Sequence, residues 1–447
     1  MKVVSVFLLV VGLFAPVSAQ WEFGVVCSTD VPFATGPNNS HKLAFRSEML
    51  YPQRDTITLV FQSSESIYYC LSGNGVNVWS RPVALYPGAD PAIALGRDGD
   101  RHLVWQMLDT LGRLNIFYRN LEFRMMPVNV SGANGNCFHP DVFGDSAGVA
   151  HIVWEEGEAS PQIWYRQANE RGVIGERFSV STDSLAACRF PAIEQFNNGI
   201  GVVWQEVDTT ESLPYKIMRR RQVGGVWQTE EVLAEQSEPL SHPAVDFSGG
   251  NEGFSGGWEK VVNGNYEVQF YGGNGGGYPT GGVSTKPVLS TIGDVWSYLF
   301  WEEDSSGRKD IFTHFYYFMT GWSSPGSVRN IFHIDEQVYA PNCLGALLVW
   351  TQGDTAPYQV MWAFFDYPIG VEEKIKDAAK LVSGIFNGKV YYADRKMHLY
   401  DASGRRVMEL KPGANDICRV KAGVYFVQEV AEIGDKSNGF VKIIITR

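Results

Sequence analysis

His102-Leu103-Val104-Trp105-Gln106 is a short apolar run that ends in Trp and an amide, and seven versions of it occur along the chain. The other six lie at residues 58–62, 151–155, 202–206, 256–259, 298–302 and 347–351. Their aromatic anchors, Phe61 in the first copy and Trp in the rest, are 43 to 54 residues apart. A repeat of about 50 residues that is built from short apolar strands is typical of a β-propeller.

The remaining parts of each repeat predict three further strands. A Pro opens most units, as at Pro91 and Pro140, and a short polar or Gly-rich turn leads into the Trp strand. A third strand ends in aromatics and Arg, as at residues 116–119, and a weaker fourth strand follows. Four short strands separated by turns form one propeller blade. We therefore predict an all-β, seven-bladed β-propeller, with six blades as the alternative if the unit around Phe61 is not a true blade.

The last repeat has no clear fourth strand before Pro368, whereas residues 21–26 form an apolar strand candidate near the start of the chain. An N-terminal strand that completes the last blade would remove an open sheet edge. The Trp strands are nearly continuous apolar runs, which is typical of strands buried on both faces. We therefore expect their Trp side chains to pack between blades rather than to bind sugars.

The 447 residues carry a net charge of −12 and a sequence pI near 5.2, without a stripe of Lys or Arg. This charge argues against nucleic acid as a partner. The six Cys residues are irregularly spaced and form no CxxC motif, which argues against a structural zinc site. Cys137 and Cys188 each lie three residues before a blade-opening Pro, so a disulfide between them is a candidate.

Residues 1–19 have the features of a secretory signal peptide. Lys2 supplies a positive charge, an apolar core of about a dozen residues follows, and a small-residue cleavage site ends at Ala19, leaving Gln20 first. The apolar run is too short for a transmembrane helix, and no other segment is apolar enough to span a membrane. We predict a signal peptide at 1–19, a β-propeller at 20–369, a linker at 370–380 and a further domain at 381–447.

The C-terminal region has short strands of a different pattern: Leu-Tyr-Asp-x-x-Gly-Arg at 399–405, Ala-Gly-Val-Tyr-Phe-Val at 422–427 and Lys-Ile-Ile-Ile-Thr-Arg at 442–447. In this order they resemble the type A sorting domain of the bacterial type IX secretion system, a small β-sandwich. The usual Pro-Asn-Pro-like opening turn is replaced by residues 383–388. The resemblance implies Sec export, the type IX secretion machinery as a partner, and secretion or display on the outer-membrane surface. A generic C-terminal sandwich is the alternative.

Residues 91–105 follow the pattern Pro-Ala-Ile…Asp-Gly-Asp-x-His-x-Val-Trp and resemble the repeats of sialidase-like and BNR-like propellers. The resemblance implies glycan hydrolysis on the face where the innermost strands begin. Sialidases place three Arg around the substrate carboxylate and use a Tyr nucleophile beside a Glu. Here only Arg189 falls on that face, because Arg119, Arg166 and Arg219 end third strands. The Ser-x-Asp-x-Gly-x-x-Trp turn of sialidases is also absent.

The candidate binding face carries polar residues at the ends of the Trp strands and beside the blade-opening Pro residues. These are His139, Asp141, Glu155, Glu156, Arg189, Glu206, His242, Glu259, Glu302 and Glu303. The adjacent acids in the Trp strands could act as acid and base in a glycosidase. They could also gather a Ca²⁺ ion, or form a solvated acidic rim. No other cofactor is expected.

We expect a non-catalytic module that is secreted or displayed at the cell surface and binds an extracellular glycan or protein. A sialidase-like glycoside hydrolase is the main alternative, and a structural component of a surface layer is another. Three Arg and a Tyr that converge on this face would favour the enzyme. A face that offers only Glu, Gln and small residues would favour binding.

Overall fold

The computed structural model describes most of residues 22–365 and separate strands between residues 384 and 445. The gaps before residue 366 are 38, 40, 47–55, 74–77, 97–98, 134, 197–198, 247–254, 272–275, 279, 293–295, 318–320 and 324. The predicted signal peptide, its cleavage site between Ala19 and Gln20 and the predicted linker at 370–380 lie outside the described residues.

Seven antiparallel sheets follow one another along the chain, each with its innermost strand first. Blade 1 contains β2 (Leu43–Arg46), β3 (Thr56–Ser63), β4 (Ser66–Gly73) and β5 (Val83–Pro87). Blade 2 contains β6 (Ala89–Leu95), β7 (Arg101–Leu108), β8 (Leu114–Asn120) and β9 (Val128–Asn129). Blade 3 contains β10 (Cys137–Gly144), β11 (Ala150–Glu156), β12 (Gln162–Asn169) and β13 (Gly172–Ser179).

The next three blades repeat this order, and in blades 4 and 6 two short strands share the outermost position. Blade 4 contains β14 (Ala187–Phe196), β15 (Gly199–Val207), β16 (Tyr215–Val223), β17 (Val226–Trp227) and β18 (Glu231–Gln236). Blade 5 contains β19 (Leu240–Asp246), β20 (Ser255–Val262), β21 (Asn265–Tyr271) and β22 (Gly276–Tyr278). Blade 6 contains β23 (Val283–Ile292), β24 (Trp296–Ser305), β25 (Arg308–Tyr317), β26 (Gly321–Trp322) and β27 (Gly326–Ser327).

Blade 7 is completed by the N-terminal strand. It contains β28 (Val338–Leu344), β29 (Leu347–Gln352), β30 (Tyr358–Phe364) and, outermost, β1 (Glu22–Thr29). Strand β1 runs antiparallel to β30, with Glu22 opposite Phe364 and Thr29 opposite Tyr358. The seven-bladed prediction is confirmed, and the six-bladed alternative is wrong because the unit around Phe61 is a four-stranded sheet.

The Trp strands form the interfaces between blades, as predicted. Five of the six Trp anchors are fully buried, Trp258 is 3% exposed, and Phe61 is fully buried. Trp154 of blade 3 shares a core cluster with Val104 and Ile116 of blade 2. At ~25 cal/mol per Å², burying the 150–250 Å² of one aromatic side chain contributes about 4–6 kcal/mol before entropy. These side chains are therefore structural and not sugar-binding surfaces.

The described C-terminal residues also form strands. They are β31 (Gly384–Phe386), β32 (Val390–Ala393), β33 (Met397–Asp401), β34 (Arg406–Leu410), β35 (Gly413–Asp416), β36 (Gly423–Glu429) and β37 (Phe440–Ile445). Five of them form one sheet in the order β31-β37-β36-β33-β34, and β32 pairs with β35. The assignment of this region to a type IX sorting domain stays a prediction.

Within the described residues the one helix is α1 (Val328–Phe332), and no helix there is long and apolar enough to cross a membrane. The five described cysteines are buried free thiols, and the positions of Cys137 and Cys188 exclude the candidate disulfide between them. The two residues occupy equivalent places on β10 and β14, and each packs in the core cluster of a different pair of blades. Equivalent positions are one whole blade apart, which is why they do not meet.

Candidate functional site

Six blades open with a backbone bulge directly before the blade-opening Pro. The residue at the bulge has a left-handed conformation, with φ between 47° and 53°. These residues are Asp90, His139, Phe190, His242, Lys286 and Ala340. In each case the pairing of the innermost strand with the Trp strand shifts register at this point. Because the blades are arranged in a ring, the six residues surround one end of its central channel, which we call the mouth.

At four of the six bulges, a side chain from the preceding blade accepts a hydrogen bond from the N–H of the bulge residue. This side chain always belongs to the residue directly after the aromatic anchor. Glu155 accepts from Phe190 N (3.3 Å), Glu259 from Lys286 N (2.7 Å), Glu302 from Ala340 N (2.7 Å) and Gln62 from Asp90 N (3.4 Å). The bulge removes this N–H from the strand ladder, so it needs another acceptor. We call this contact between neighbouring blades the clasp.

The clasp carboxylates also bind basic side chains of the mouth. His139 Nδ1 donates to Glu155 Oε2 (3.0 Å), and Arg189 Nη1 donates to Glu155 Oε1 (2.8 Å). His242 Nδ1 donates to Glu259 Oε2 in the same way (3.0 Å). Burial tends to raise the pKa of Glu259, but the hydrogen bond and positive charge of His242 outweigh it and lower that pKa.

Lys286 completes this pattern, since its Nζ lies 3.2 Å from both carboxylate oxygens of Glu302. The clasp acids Glu155, Glu259 and Glu302 are no more than 3% exposed. The predicted solvated acidic rim is therefore wrong at these positions. Their charges are enclosed between blades and neutralised by the side chains above them.

The acids two residues after a Trp face a different environment. Glu303 accepts from Trp301 Nε1 (3.2 Å) and Ser284 Oγ (2.6 Å) within its own blade. Glu156 pairs with Arg177, and Glu206 lies 3.7 Å from Lys216 Nζ. Burial raises the pKa of both Glu156 and Glu206.

Successive strand residues point to opposite faces of a sheet. In each adjacent pair, Glu155/Glu156 and Glu302/Glu303, one acid therefore serves the clasp and the other serves the Trp of its own blade. The two acids of a pair do not converge on one substrate. The prediction that they act together as acid and base is wrong for this geometry.

Asp141 lies inside the channel, fully buried beneath the mouth. It accepts hydrogen bonds from His41 Nδ1 (2.9 Å), His41 N (3.1 Å) and Ile193 N (2.9 Å). Burial tends to lower the pKa of His41, but Asp141 and other nearby carboxylates outweigh it and raise that pKa to about 10. Asp141 is thus the partner of a cationic His and not a ligand-facing acid.

His41 belongs to a segment that fills the channel, which we call the plug and define as the described residues of 33–42. Thr35 Oγ1 donates to Ala340 O in blade 7 (2.6 Å), and Asn39 Nδ2 donates to Pro191 O in blade 4 (2.7 Å). Lys42 is fully buried and donates through Nζ to Pro91 O in blade 2. Burial lowers the pKa of Lys42 to about 8. The plug ties four blades together at the axis.

The side chains that stay accessible at the mouth are mostly aromatic or basic, and Asp90 of blade 2 is a partly exposed acid among them. Phe190 lies between two imidazoles, with ring centroids 4.6 Å from His139 and 4.2 Å from His242. Lys286 Nζ lies 4.6 Å from the ring centroid of Phe33, a plug residue that is 46% exposed. We call this surface the mouth patch, and its members are His139, Arg189, Phe190, His242, Lys286 and Phe33.

The predicted site residues thus divide into three groups. His139, Arg189 and His242 lie in the mouth patch, the three clasp acids lie buried beneath it, and the other acids and Asp141 serve blade interiors or the plug. Phe190, Lys286 and Phe33 were missed. Phe190 and Lys286 stand before a blade-opening Pro, as His139 and His242 do, so the repeat itself carried a signal for them.

Arg119, Arg166 and Arg219 do not join Arg189 at the mouth. Arg119 binds the Tyr86 hydroxyl, Arg166 donates to Val130 O (3.1 Å), and Arg219 pairs with Glu231 (2.6 Å). Among the residues that the structure describes, no group of three or more His, Cys, Asp or Glu is arranged to hold a metal ion.

No protein-family model matches the sequence, and no curated protein is significantly similar to it. Two solved structures of a PL25 ulvan lyase have a similar fold. The one bound to -[GlcA(1-4)Rha3S]- has a TM-score of 0.54 and 9% identity, covering 78% of this chain and 95% of that chain. The other has a TM-score of 0.55 and 8% identity over the same shares.

The β-propeller domain of the Trilobed protease from Pyrococcus furiosus is also similar, with a TM-score of 0.46 and 9% identity. It covers 78% of this chain and 98% of that chain. At identities of 8% and 9%, the likeness to the ulvan lyases is one of fold alone.

Proposed function

We propose that the protein is a glycan-binding propeller whose mouth patch takes an acidic polysaccharide. One observation carries this proposal: the three clasp carboxylates are buried, while the side chains above them are basic or aromatic. Arg189 and Lys286 keep 36% and 32% of their side-chain surface exposed. Guanidinium and ammonium groups bind carboxylates and sulfates, and aromatic faces offer apolar area to sugar rings.

The backbone at the mouth supports the same proposal. A left-handed conformation costs a residue other than Gly roughly 1–2 kcal/mol, and Phe and Lys tolerate it less well than Asp or His. Gly would adopt it without that cost, yet Phe190 and Lys286 hold two of the six positions. Strain of this kind concentrates at functional sites, where the surrounding structure maintains it. We therefore infer that the strained backbone is kept because the mouth needs these side chains.

A propeller of similar fold, the PL25 ulvan lyase, has been solved bound to -[GlcA(1-4)Rha3S]-, an acidic glycan. This agrees with an acidic glycan as the ligand class. At 9% identity, the likeness between the two chains concerns the fold alone. Binding without catalysis is the leading form of the proposal. It differs from the sialidase-like alternative because Arg189 lies at the mouth without Arg119, Arg166 or Arg219 beside it.

One observation favours a catalytic function as the second candidate. His139 and His242 each donate through Nδ1 to a buried carboxylate, which fixes the tautomer and leaves Nε2 as the basic nitrogen. A His held in this way can act as a general base towards a bound sugar. The same assay therefore has to monitor both binding and cleavage.

The test is a binding assay of the full chain against sulfated, uronic-acid-containing and neutral polysaccharides, with products monitored in parallel. We expect binding to the acidic polysaccharides alone, weakened by added salt because exposed charges are screened. Phe190→Ala and Arg189→Ala should each weaken it at least about tenfold, equivalent to about 1.4 kcal/mol. Turnover that His139→Ala or His242→Ala abolishes would establish the catalytic candidate.

Matched controls lie away from the mouth. Phe123 is 41% exposed, and the side chain of Arg171 is 87% exposed. Phe123→Ala and Arg171→Ala should bind as the unchanged protein does. Equal binding by the mouth variants and these controls, or a preference for neutral polysaccharides, would overturn the proposal. Binding of a protein ligand in place of any glycan would also overturn it.

We also propose that the protein is exported through the type IX secretion system and is then released or displayed on the outer-membrane surface. The signal-peptide features of residues 1–19 support entry into the Sec pathway. The ordered phrases at 399–405, 422–427 and 442–447 support recognition by the type IX machinery.

A further inference from the structure

Two cysteines face each other where the ring closes. Cys27 lies on β1, the N-terminal strand of blade 7, opposite Val360. Cys70 lies on β4 of blade 1, opposite Leu59. Both belong to one buried core cluster, together with Phe61 of blade 1 and Trp362 of blade 7. Neighbouring blades therefore contribute one cysteine each to the interface between the last and the first blade.

The two side chains lie in the same buried cluster, on the facing strands of neighbouring blades. A hydrogen bond between Cys27 and Cys70, together with burial, raises the pKa of Cys27. The other described cysteines have different surroundings. Cys137 Sγ lies 3.9 Å from Gly135 O, and Cys188 Sγ lies 3.8 Å from Glu206 Oε2. Cys343 packs in the cluster between blades 6 and 7.

We propose that Cys27 and Cys70 form a disulfide that fastens the N-terminal strand to blade 1 and so locks the ring. The oxidant is a small-molecule or protein disulfide. One cysteine thiolate attacks it and releases one thiol, and the second thiolate attacks the mixed disulfide and releases the other. The two cysteines lose two protons and two electrons, and the oxidant is reduced to two thiols.

The surroundings of the pair determine when this reaction occurs. Thiolates are the reacting species, and the folded core disfavours them by burial. The exchange should therefore be fast while β1 is still undocked and slow once blade 7 is complete. The proposed export would take the chain to a compartment where disulfides form and persist. The test below does not depend on that export.

The position of the bridge gives it a specific effect. Blade 7 obtains its outermost strand from the other end of the propeller sequence, so detachment of β1 exposes the edge of β30. A covalent link over 43 residues holds β1 beside blade 1 whether or not its ladder to β30 is intact. The link also restricts the unfolded chain.

The test is disulfide mapping on the full chain after refolding with oxidised glutathione. Free thiols are alkylated in denaturant without reductant, and peptides are analysed by mass spectrometry. We expect one linked peptide pair containing Cys27 and Cys70, with Cys137, Cys188 and Cys343 alkylated. The same treatment of the protein folded in reductant should give this pair much more slowly. Alkylated Cys27 and Cys70 after oxidative refolding, or either residue linked to another cysteine, would overturn the proposal.

Thermal unfolding distinguishes a disulfide between Cys27 and Cys70 from two thiols that only pack together. Reductant should lower the Tm of the oxidised protein by about 5 °C, from the loop length and the size of the propeller. Cys70→Ser should remove this dependence on reductant, whereas Cys343→Ser, a buried thiol in another interface, should retain it. If Cys70→Ser lowers the Tm equally with and without reductant but the unchanged protein shows no reductant dependence, the cysteines only pack and the bridge is disproved.

Discussion

Replacing Glu155 by Ala tests whether the acids at the ends of the Trp strands hold blades together. Glu155 is fully buried and accepts hydrogen bonds from His139, Arg189 and the N–H of Phe190. Replacing an acid on an exposed rim would change the free energy of unfolding by no more than about 0.5 kcal/mol. A clasp acid should cost much more, because its loss leaves partners on two blades without an acceptor.

The size of the effect follows from these contacts. The N–H of Phe190 lies in the blade interface and loses its acceptor, which costs about 1–3 kcal/mol. His139 and Arg189 are partly exposed and can turn to water, so each lost bond costs about 0.5–1 kcal/mol. We expect a loss of about 3 kcal/mol in the free energy of unfolding. For a propeller of this size that is a decrease of about 4 °C in Tm.

Glu155→Gln should be milder, at about 1 kcal/mol, because an amide oxygen can still accept from Phe190. Gln62 makes the equivalent bond to Asp90 N in blade 1 (3.4 Å). Urea unfolding of the full chain measures all three proteins, and Glu176→Ala, an exposed acid on β13, is the control. If Glu155→Ala matched Glu176→Ala, the reasoning about the clasp would be refuted.

Two further predictions concern pH and export. The pKa of Glu259 is lowered despite burial, so its ionised form contributes stability above the ordinary pKa of 4.5, and that stability is lost as pH falls through the lowered pKa. Calorimetry between about pH 6 and pH 3 should show a smaller decrease in Tm for Glu259→Gln than for the unchanged protein, and parallel decreases would contradict this. Removing residues 371–447 should leave propeller unfolding unchanged but retain the protein in the periplasm, as measured by fractionation. Normal surface delivery of the truncated chain would argue against a sorting domain.

The number of blades could be predicted because each blade must bury one large aromatic residue against the next. Phe61 serves in place of Trp in blade 1, and it is as fully buried as Trp154. The closing strand could also be predicted, since blade 7 lacked an outer strand and residues 22–29 supplied one. Both arguments depend on buried positions, and these positions recur in each repeat of the sequence.

The orientation of the acids could not be predicted in the same way. The bulge before each Pro shifts the register of the innermost strand and frees an N–H that only a neighbouring blade can satisfy. Acids at strand ends are usually solvated, and nothing local in the sequence indicates that Glu155 faces a donor 35 residues further on. The plug could not be predicted either, because residues 33–42 carry no repeat and their partners lie on four blades.

The cysteines show how equivalence within a repeat can mislead. Cys137 and Cys188 were compared because they share a position, but shared positions are separated by a whole blade. Residues that meet across an interface come from different strands of neighbouring blades, as Cys27 and Cys70 do. Contacts in a propeller have to be sought between unlike positions.

The bulge residue has two separate roles: its backbone supports the blade, and its side chain takes part in recognition. Its N–H and the Pro that follows hold the blade in place, and Asp, His, Phe, Lys and Ala all occupy it. Its side chain can therefore be exchanged without repacking the blades. Propellers with this scaffold could diverge in specificity through point changes at the five partly exposed bulge positions, whereas Ala340 is buried, and a designer could reprogram the mouth in the same way.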